Sequence, residues 1–368
     1  MLTADNTRVL HNFSAGPALL PAAVLEQAAV GIADFCGAGL SLLELSHRSE
    51  AYRRLQGEAM ERWLRLYAVP EGYDVLFLQG GASTQFAMVP LNLLGAGDSA
   101  DYVSTGRWSE KAIDEAAAVG VRHRVAASSA DRNHSYIPRA DQLDLDAAAR
   151  YLHITSNNTI FGTQYPESPA VGTAPLVIDA SSDLLSRPIA WERIGLLYGG
   201  AQKNAGISGL TVVCIRRDLI SCRGSGVPTM MRYDTHAAAD SLYNTPPTFA
   251  VLVLDLTMRW IEEQGGLAAV DAANRHKASL LYEVIDGDGF YEGHAEPAAR
   301  SLMNVVFRIP ADRALEPEFV SRAGEEGLIG LEGHRAAGGL RASIYNAMSV
   351  EGCRGLAEFM VAFRGRFG

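Results

Sequence analysis

The sequence predicts an α/β protein: a large domain built on a mostly parallel sheet with helices on both faces, then a smaller α/β C-terminal domain. Three observations predict it. Apolar runs of strand length alternate with helical patterns from about residue 20 to 265, and repeated β-then-α order implies crossover helices and hence parallel strands. The chain has 368 residues, more than a single core usually serves. Gly265-Gly266 then interrupts the helical pattern. We therefore expect a large domain over residues 17–265 and a small one over 266–368, with the N-terminal segment 1–16 packing against the small one.

The elements follow in order. Residues 21–36 read as a helix with proline at its start. Residues 49–67 read as a second, with Leu55, Met60, Trp63, Leu64 and Leu66 as its apolar residues. Residues 75–78 form a strand, Gly80-Gly81 a turn, and a helix begins near Thr84. Further strands are expected at 101–104, 121–125, 151–154, 176–178, 194–198 and 211–215. The alanine-rich stretches 116–118 and 147–149 fit ordinary helices. A helix over 246–263 leads out of this region, and helix 267–285, strand 303–308, helix 316–326 and helix 352–367 complete the chain. Right-handed crossovers place the loops after successive strands at one edge of the sheet.

Composition removes several function classes. The formal net charge is −10, which argues against nucleic-acid binding, since phosphate backbones need surplus Lys and Arg. It leaves a small anionic ligand open, because that needs only a local arginine cluster. Four cysteines, Cys36, Cys214, Cys222 and Cys353, form no C-x-x-C pair, so no zinc or redox motif is indicated and no metal is expected. Sparse cysteines and the charged N-terminus, with Asp5 and Arg8, suit a cytoplasmic protein without a signal peptide or membrane span.

The chemistry centres on Lys203. It sits among small residues in Gly199-Gly200-Ala201-Gln202-Lys203-Asn204, at a turn between two apolar strands. A desolvated ammonium has a depressed pKa and becomes a nucleophilic amine. Upstream, the apolar run 175–178 ends in the carboxylate of Asp179. A lysine for a Schiff base and a carboxylate for a pyridinium nitrogen are the two groups that pyridoxal 5′-phosphate (PLP) needs. Each also has a plainer reading, a loop lysine and a strand-terminal turn former. Gly80-Gly81-Ala82-Ser83 joins a strand to a helix N-terminus, where free N–H groups and the helix dipole bind phosphate. Trp108 is a core residue or an aromatic platform for a ring. The Thr159 hydroxyl caps a turn or meets a polar ring edge. Two segments pair His with Arg, His47-Arg48 and His334-Arg335, and Arg341 follows the second. Guanidinium groups grip carboxylates and phosphates bidentately.

Together these residues resemble the phosphoserine aminotransferase family, among the class-V aminotransferases of PLP-dependent fold-type I, the aspartate-aminotransferase-like fold. The resemblance covers nearly the whole chain. It runs from Asn12-Phe13-Ser14-Ala15-Gly16-Pro17 through Glu44-Leu45-Ser46-His47-Arg48, Thr155-Ser156-Asn157-Asn158-Thr159 and Asp179-Ala180-Ser181-Ser182. It continues at the Lys203 turn, at Tyr243-Asn244-Thr245-Pro246 and at Arg341-Ala342-Ser343-Ile344-Tyr345-Asn346. It implies that Lys203 carries the cofactor and moves the proton, that Asp179 keeps the pyridine nitrogen protonated, and that Trp108 and Thr159 contact the ring. It implies that Ala82 and Ser83, with Gln202, bind the cofactor phosphate through backbone N–H groups, and that Asn244 and Thr245 serve the neighbouring subunit of a homodimer. Arg341 would take the substrate α-carboxylate. His47, Arg48, His334 and Arg335 would receive the substrate phosphate or the distal carboxylate of glutamate. The implied activity is transamination between phosphoserine and 2-oxoglutarate in serine biosynthesis, extending to 4-phosphohydroxy-L-threonine in pyridoxine biosynthesis. Some relatives carry Gly-Arg in place of Ala82-Ser83 and Ser in place of Ala15, which puts added load on Arg48 and Arg335. The rival readings are an alanine–glyoxylate-type aminotransferase, a cysteine desulfurase, and a non-catalytic protein that binds PLP or an anion.

Overall fold

In chain order, β1 (His11–Asn12) precedes α1 (Ala22–Ala33) and α2 (Glu50–Leu66). Next come β2 (Tyr73–Gly80), α3 (Ala82–Leu93), β3 (Ser99–Ser104), α4 (Arg107–Ala118) and β4 (Arg122–Ser128). They are followed by β5 (Leu152–Thr155), the hairpin of β6 (Asn157–Asn158) and β7 (Thr163–Gln164), β8 (Leu176–Asp179), β9 (Ile194–Gly200) and β10 (Gly209–Arg216). α5 (Tyr233–Ala237), α6 (Thr248–Glu263) and α7 (Gly266–Ile285) lead to β11 (Glu292–Gly293), β12 (Asn304–Arg308), α8 (Leu315–Glu325), β13 (Leu328–Ile329), β14 (Leu340–Ser343) and α9 (Val350–Phe367). The structure is a computed structural model and describes residues 10–169 and 172–368. Residues 1–9 of the expected N-terminal segment lie outside the described residues.

The main sheet has seven strands in the order β2-β10-β9-β8-β5-β3-β4. All its pairings are parallel except the two made by β10, which runs antiparallel to both β2 and β9. The link from Gly200 to Gly209 is too short for a crossover helix, so β9 and β10 form a hairpin. Side chains alternate between the two faces. On β10, Leu210, Val212 and Cys214 join one core with Trp63 of α2 and Val251, Leu254 and Met258 of α6. Val213 and Ile215 join the opposite core with Phe86 and Val89 of α3 and Ala112 and Ala116 of α4. A sheet covered on both faces reads as continuous apolar runs, and every residue of β9 is buried.

A third core gathers Phe13, Ala278, Leu281, Ile285, Val305, Phe307, Phe319, Leu356 and Phe363. β1 pairs parallel with β13, so residues 11–12 are tied to the C-terminal part of the chain. α7 serves two cores: Leu267 and Val270 belong to the first, Ala278 and Leu281 to the third. On this separation of cores we propose the domain division at residues 265 and 266, with α7 as the shared beam.

Helix starts follow local chemistry. The Ser49 hydroxyl accepts the Tyr52 N–H at 3.3 Å and caps α2, and the Ser349 hydroxyl accepts the Gly352 N–H at 3.0 Å and caps α9. The helix expected at 147–149 is not formed. There Asp146 Oδ1 accepts the Ala148 N–H at 2.9 Å, closing a side-chain turn, and the Asp146 N–H is itself held by Asp101 Oδ2 at 2.7 Å. That alternative to helical hydrogen bonding overrides the alanine propensity. The short strands β1, β6, β7, β11, β13 and β14 were not expected from periodicity.

Gly162 closes the β6–β7 hairpin that carries Thr159. Its φ is +67°, and a Cβ there would lie 2.7 Å from the Asn304 carbonyl oxygen and 2.9 Å from Val306 Cγ2. Gly162→Ala is expected to cost roughly 2–4 kcal/mol through strain and overlap with β12, read as a lowered denaturant midpoint.

Candidate active site

β2, β3, β5, β8 and β9 run in one direction, so Gly80, Ser104, Thr155, Asp179 and Gly200 end them at a common sheet edge. Ligands of open α/β sheets bind outside such carboxyl ends. Trp108 follows β3 on the first turn of α4, Thr159 follows β5, and Lys203 lies in the β9–β10 turn. Lys203 Nζ donates to Thr159 Oγ1 at 2.6 Å and stands 5.3 Å from the centroid of the Trp108 ring. Burial pushes the Lys203 amine down to about 8; the negative Asp179 opposes this, and the positive Arg341 adds to it. Asp179 is buried, and burial raises its pKa against the hydrogen bonds of Ser181 and the charge of Lys203, which lower it.

A cavity of about 440 Å³ lies over this edge. Of the residues singled out in the sequence, Trp108, Thr159, Gln202, Lys203, His334 and Arg341 line it, beside Gly80 and Gly81. Asp179 lies beneath. Ala82 and Ser83 start α3, whose N-cap Gly81 offers no side-chain bond, so the first N–H groups of that helix are available to an anion. Arg341 comes from β14, and burial lowers its pKa. His334 is lowered too, by partial burial and then by the charges of Arg341 and Arg335.

Other predicted residues lie elsewhere. Asn244 lines a separate cavity of about 200 Å³ with Gln79, and the Thr245 carbonyl accepts from Gln79 Nε2. His47 and Arg48 precede α2 and do not line the larger cavity; Arg48 is exposed, and His47 Nε2 is buried without a partner. Arg335 is exposed beside His334.

Two contributors were not singled out from sequence. Ser181 donates to Asp179 from two residues away, a spacing at which a hydroxyl reaches back to a carboxylate. The Tyr345 hydroxyl donates to the carbonyl of Ala15 at 2.8 Å, next to Gly16 and Pro17 of the cavity wall. No sequence signal joins residues so far apart.

The arrangement supplies one amine of depressed basicity, one buried carboxylate, an aromatic face and an uncapped helix N-terminus. Trp108 Nε1 and Arg341 Nε are buried donors with no partner, which fits a polar ligand in the cavity. These groups fit PLP, whose aldehyde, pyridine nitrogen, ring face and phosphate they match in turn.

The Aminotransferase class-V profile matches residues 10–356. The chain belongs to the class-V aminotransferases. It is 53% identical to a phosphoserine aminotransferase of Geobacillus kaustophilus, over 97% of this chain and 99% of that one. The phosphoserine aminotransferase of Bacillus circulans subsp. alkalophilus superposes with a TM-score of 0.95 at 49% identity, covering 98% of this chain and 99% of that one. The PLP-bound phosphoserine aminotransferase of Trichomonas vaginalis superposes with a TM-score of 0.92 at 39% identity, covering 96% of this chain and all of that one. As a class-V aminotransferase the chain is a PLP-dependent enzyme of fold-type I. Among the described residues no helix is long and apolar enough to cross a membrane, and no cluster of three metal-ligating side chains occurs.

The electrostatics give a signed expectation. In cofactor-free protein, acylation of Lys203 should titrate with a midpoint near 8. Asp179→Asn removes the charge that raises this amine and should lower the midpoint, whereas Arg341→Met removes one that lowers it and should raise the midpoint. Labelling rate against pH, read by peptide mass, checks both signs.

Proposed function

We propose that the chain catalyses reversible transamination between O-phospho-L-serine with 2-oxoglutarate and 3-phosphohydroxypyruvate with L-glutamate, serving serine biosynthesis in the cytoplasm. The carrying observation is the Lys203 amine between Trp108, Thr159 and Arg341 over a buried Asp179, in a chain about half identical to phosphoserine aminotransferases. We extend the proposal to 4-phosphohydroxy-L-threonine, whose amino-acid head and phosphate present the same anions to the same clamp.

PLP, when bound, supplies an aldehyde that joins an amine and a protonated ring that accommodates charge from the substrate Cα. The chain's residues do the rest. Lys203, neutral over part of the physiological range, bonds the cofactor covalently and afterwards serves as the base that takes and returns the Cα proton. The Thr159 hydroxyl accepts from Lys203 Nζ and so holds the amine toward the cavity. Asp179 keeps a negative charge beneath the ring nitrogen. Trp108 covers the ring face, limiting the ring's tilt and the entry of water. Ala82 and Ser83 present N–H groups of α3, and Gln202 a side-chain amide, to the cofactor phosphate. Arg341 takes the α-carboxylate, its desolvation made good by a bidentate anion. His334, Arg335, His47 and Arg48 receive the substrate phosphate in one half-reaction and the distal carboxylate in the other.

Asn244 and Thr245 lie off this cavity, and we propose that they complete the phosphate site of a second copy in a homodimer. The exposed apolar side chains Leu25, Val30, Leu40 and Leu43, on α1 and the loop after it, support a covered surface.

In a spectroscopic test, PLP-loaded protein should lose its visible absorbance with O-phospho-L-serine, keep it with alanine, and regain it with 2-oxoglutarate. Response to alanine alone would overturn the substrate. Lys203→Ala should lower turnover by roughly 10³-fold or more while leaving the fold intact. Arg341→Ala should lower kcat/KM for the amino acid by roughly 10–100-fold, the value of a charged hydrogen-bonded pair. Sedimentation should give twice the chain mass.

A further inference from the structure

The two oxygens of Asp179 are not equivalent. Oδ1 accepts the Ser181 N–H at 3.0 Å and the Ser181 hydroxyl at 2.6 Å. No group among the described residues donates to Oδ2. Ser181 Oγ in turn accepts the N–H of Gly200, the last residue of β9, at 3.2 Å. An amide N–H can only donate, so the Ser181 proton is left for Asp179, and a hydroxyl that donates to Oδ1 requires Oδ1 to be unprotonated. The junction is built by close packing: a Cβ on Gly199 would stand 3.1 Å from Ser181 Cα. Thr155, opposite Asp179 in the β5–β8 ladder, has a buried hydroxyl without a partner and does not share this task.

We propose that Ser181 is a positioning residue for the reaction: its hydroxyl ties Oδ1 to the end of β9 and leaves Oδ2, as a carboxylate oxygen, for the protonated ring nitrogen of the cofactor. The inference rests on the role given to Asp179 above. Ser181 touches neither cofactor nor substrate in this arrangement and acts through the carboxylate alone. The same hydroxyl links that carboxylate to the strand whose end, three residues on, becomes the Lys203 turn.

The charged and titratable groups around Asp179 are few. Lys203 favours its ionised form, and Asp183 opposes it. Tyr198, its neighbour on β9, is held neutral by burial. His153 on β5 bonds the Tyr198 hydroxyl at 2.9 Å, and burial pushes its pKa down to about 3, so it is neutral at working pH. With Ser181 truncated, burial is opposed by fewer hydrogen bonds. Asp179 then keeps its proton to higher pH, and the acidic limb of the activity profile moves up with it.

The test is infrared spectroscopy of the full-length protein, cofactor-free and PLP-loaded, with Asp179→Asn as the difference reference for the Asp179 carboxyl band. In Ser181→Ala the protonation midpoint of that band should rise by about one pH unit. At neutral pH kcat should fall about tenfold with KM for the amino acid unchanged, recovering as pH rises. Ser181→Thr, which keeps the hydroxyl, should titrate and turn over like the parent. An Asp179 band that titrates in Ser181→Ala as in the parent would overturn the proposal, even in a variant of lowered stability or activity. Because the cofactor-free band is independent of substrate, a shifted band in an enzyme inert toward O-phospho-L-serine would uphold Ser181 and overturn only the substrate.

Discussion

Lys203 and Asp179 are ionisable groups buried at one sheet edge, and most of the surrounding structure makes that burial tolerable. Desolvation drives the amine toward its free base and the carboxylic acid toward its neutral form, while their mutual attraction favours both charges. The balance leaves an amine that is neutral over part of the physiological range above a carboxylate held by two hydrogen bonds from Ser181. A solvated pair would offer an amine protonated near 10 and of little use as a nucleophile. The flanking strands supply the dry environment: β9 is buried along its whole length and β8 along all four residues.

The parallel arrangement explains why the other groups converge. Strands running in one direction deliver their following loops to one edge, so Trp108, Thr159 and Lys203, from three separate loops, share one cavity. The β9–β10 hairpin departs from the βα pattern and is what puts Lys203 at that edge in a short turn. Arg341 arrives from another core altogether. Its strand β14 pairs with β12, and α7 couples that core to the sheet. Lys277 on α7 donates to the carbonyls of Ile344 and Tyr345 at 3.0 and 2.7 Å. Asn274, one turn earlier, bonds Asn346 Oδ1 at 2.9 Å. The Asn346 N–H donates to Asn204 Oδ1, beside Lys203, also at 2.9 Å. The anion-binding strand and the lysine turn are therefore bonded into one unit across the two cores.

The sequence by itself determined the large features. Apolar runs and helical periods marked six of the seven main-sheet strands to within a few residues, and the remaining edge strand β4 by its first half. The lysine turn was legible because glycines and small residues surround a charge between two apolar runs, and Asp179 because a carboxylate ends a core strand. Trp108 and Thr159 were legible as the first polar or aromatic groups after strand ends. Residues 147–149 misled because alanine propensity is weak beside the Asp146 side-chain turn.

Only the tertiary structure decided which candidates meet. It joined His334 and Arg341 to Lys203 across more than a hundred residues, left Asn244, Arg48 and Arg335 away from the cavity lining, and revealed Ser181 and Tyr345 as supports. The direction of β10, the pairing of β1 with β13 and the short strands of the C-terminal core were also settled there. The physical reason is the range of the interactions. Periodicity, turn chemistry and capping act within a few residues and leave a mark in the sequence. Burial of a charge and the partner of a hydroxyl depend on segments brought together by packing, which no local pattern records.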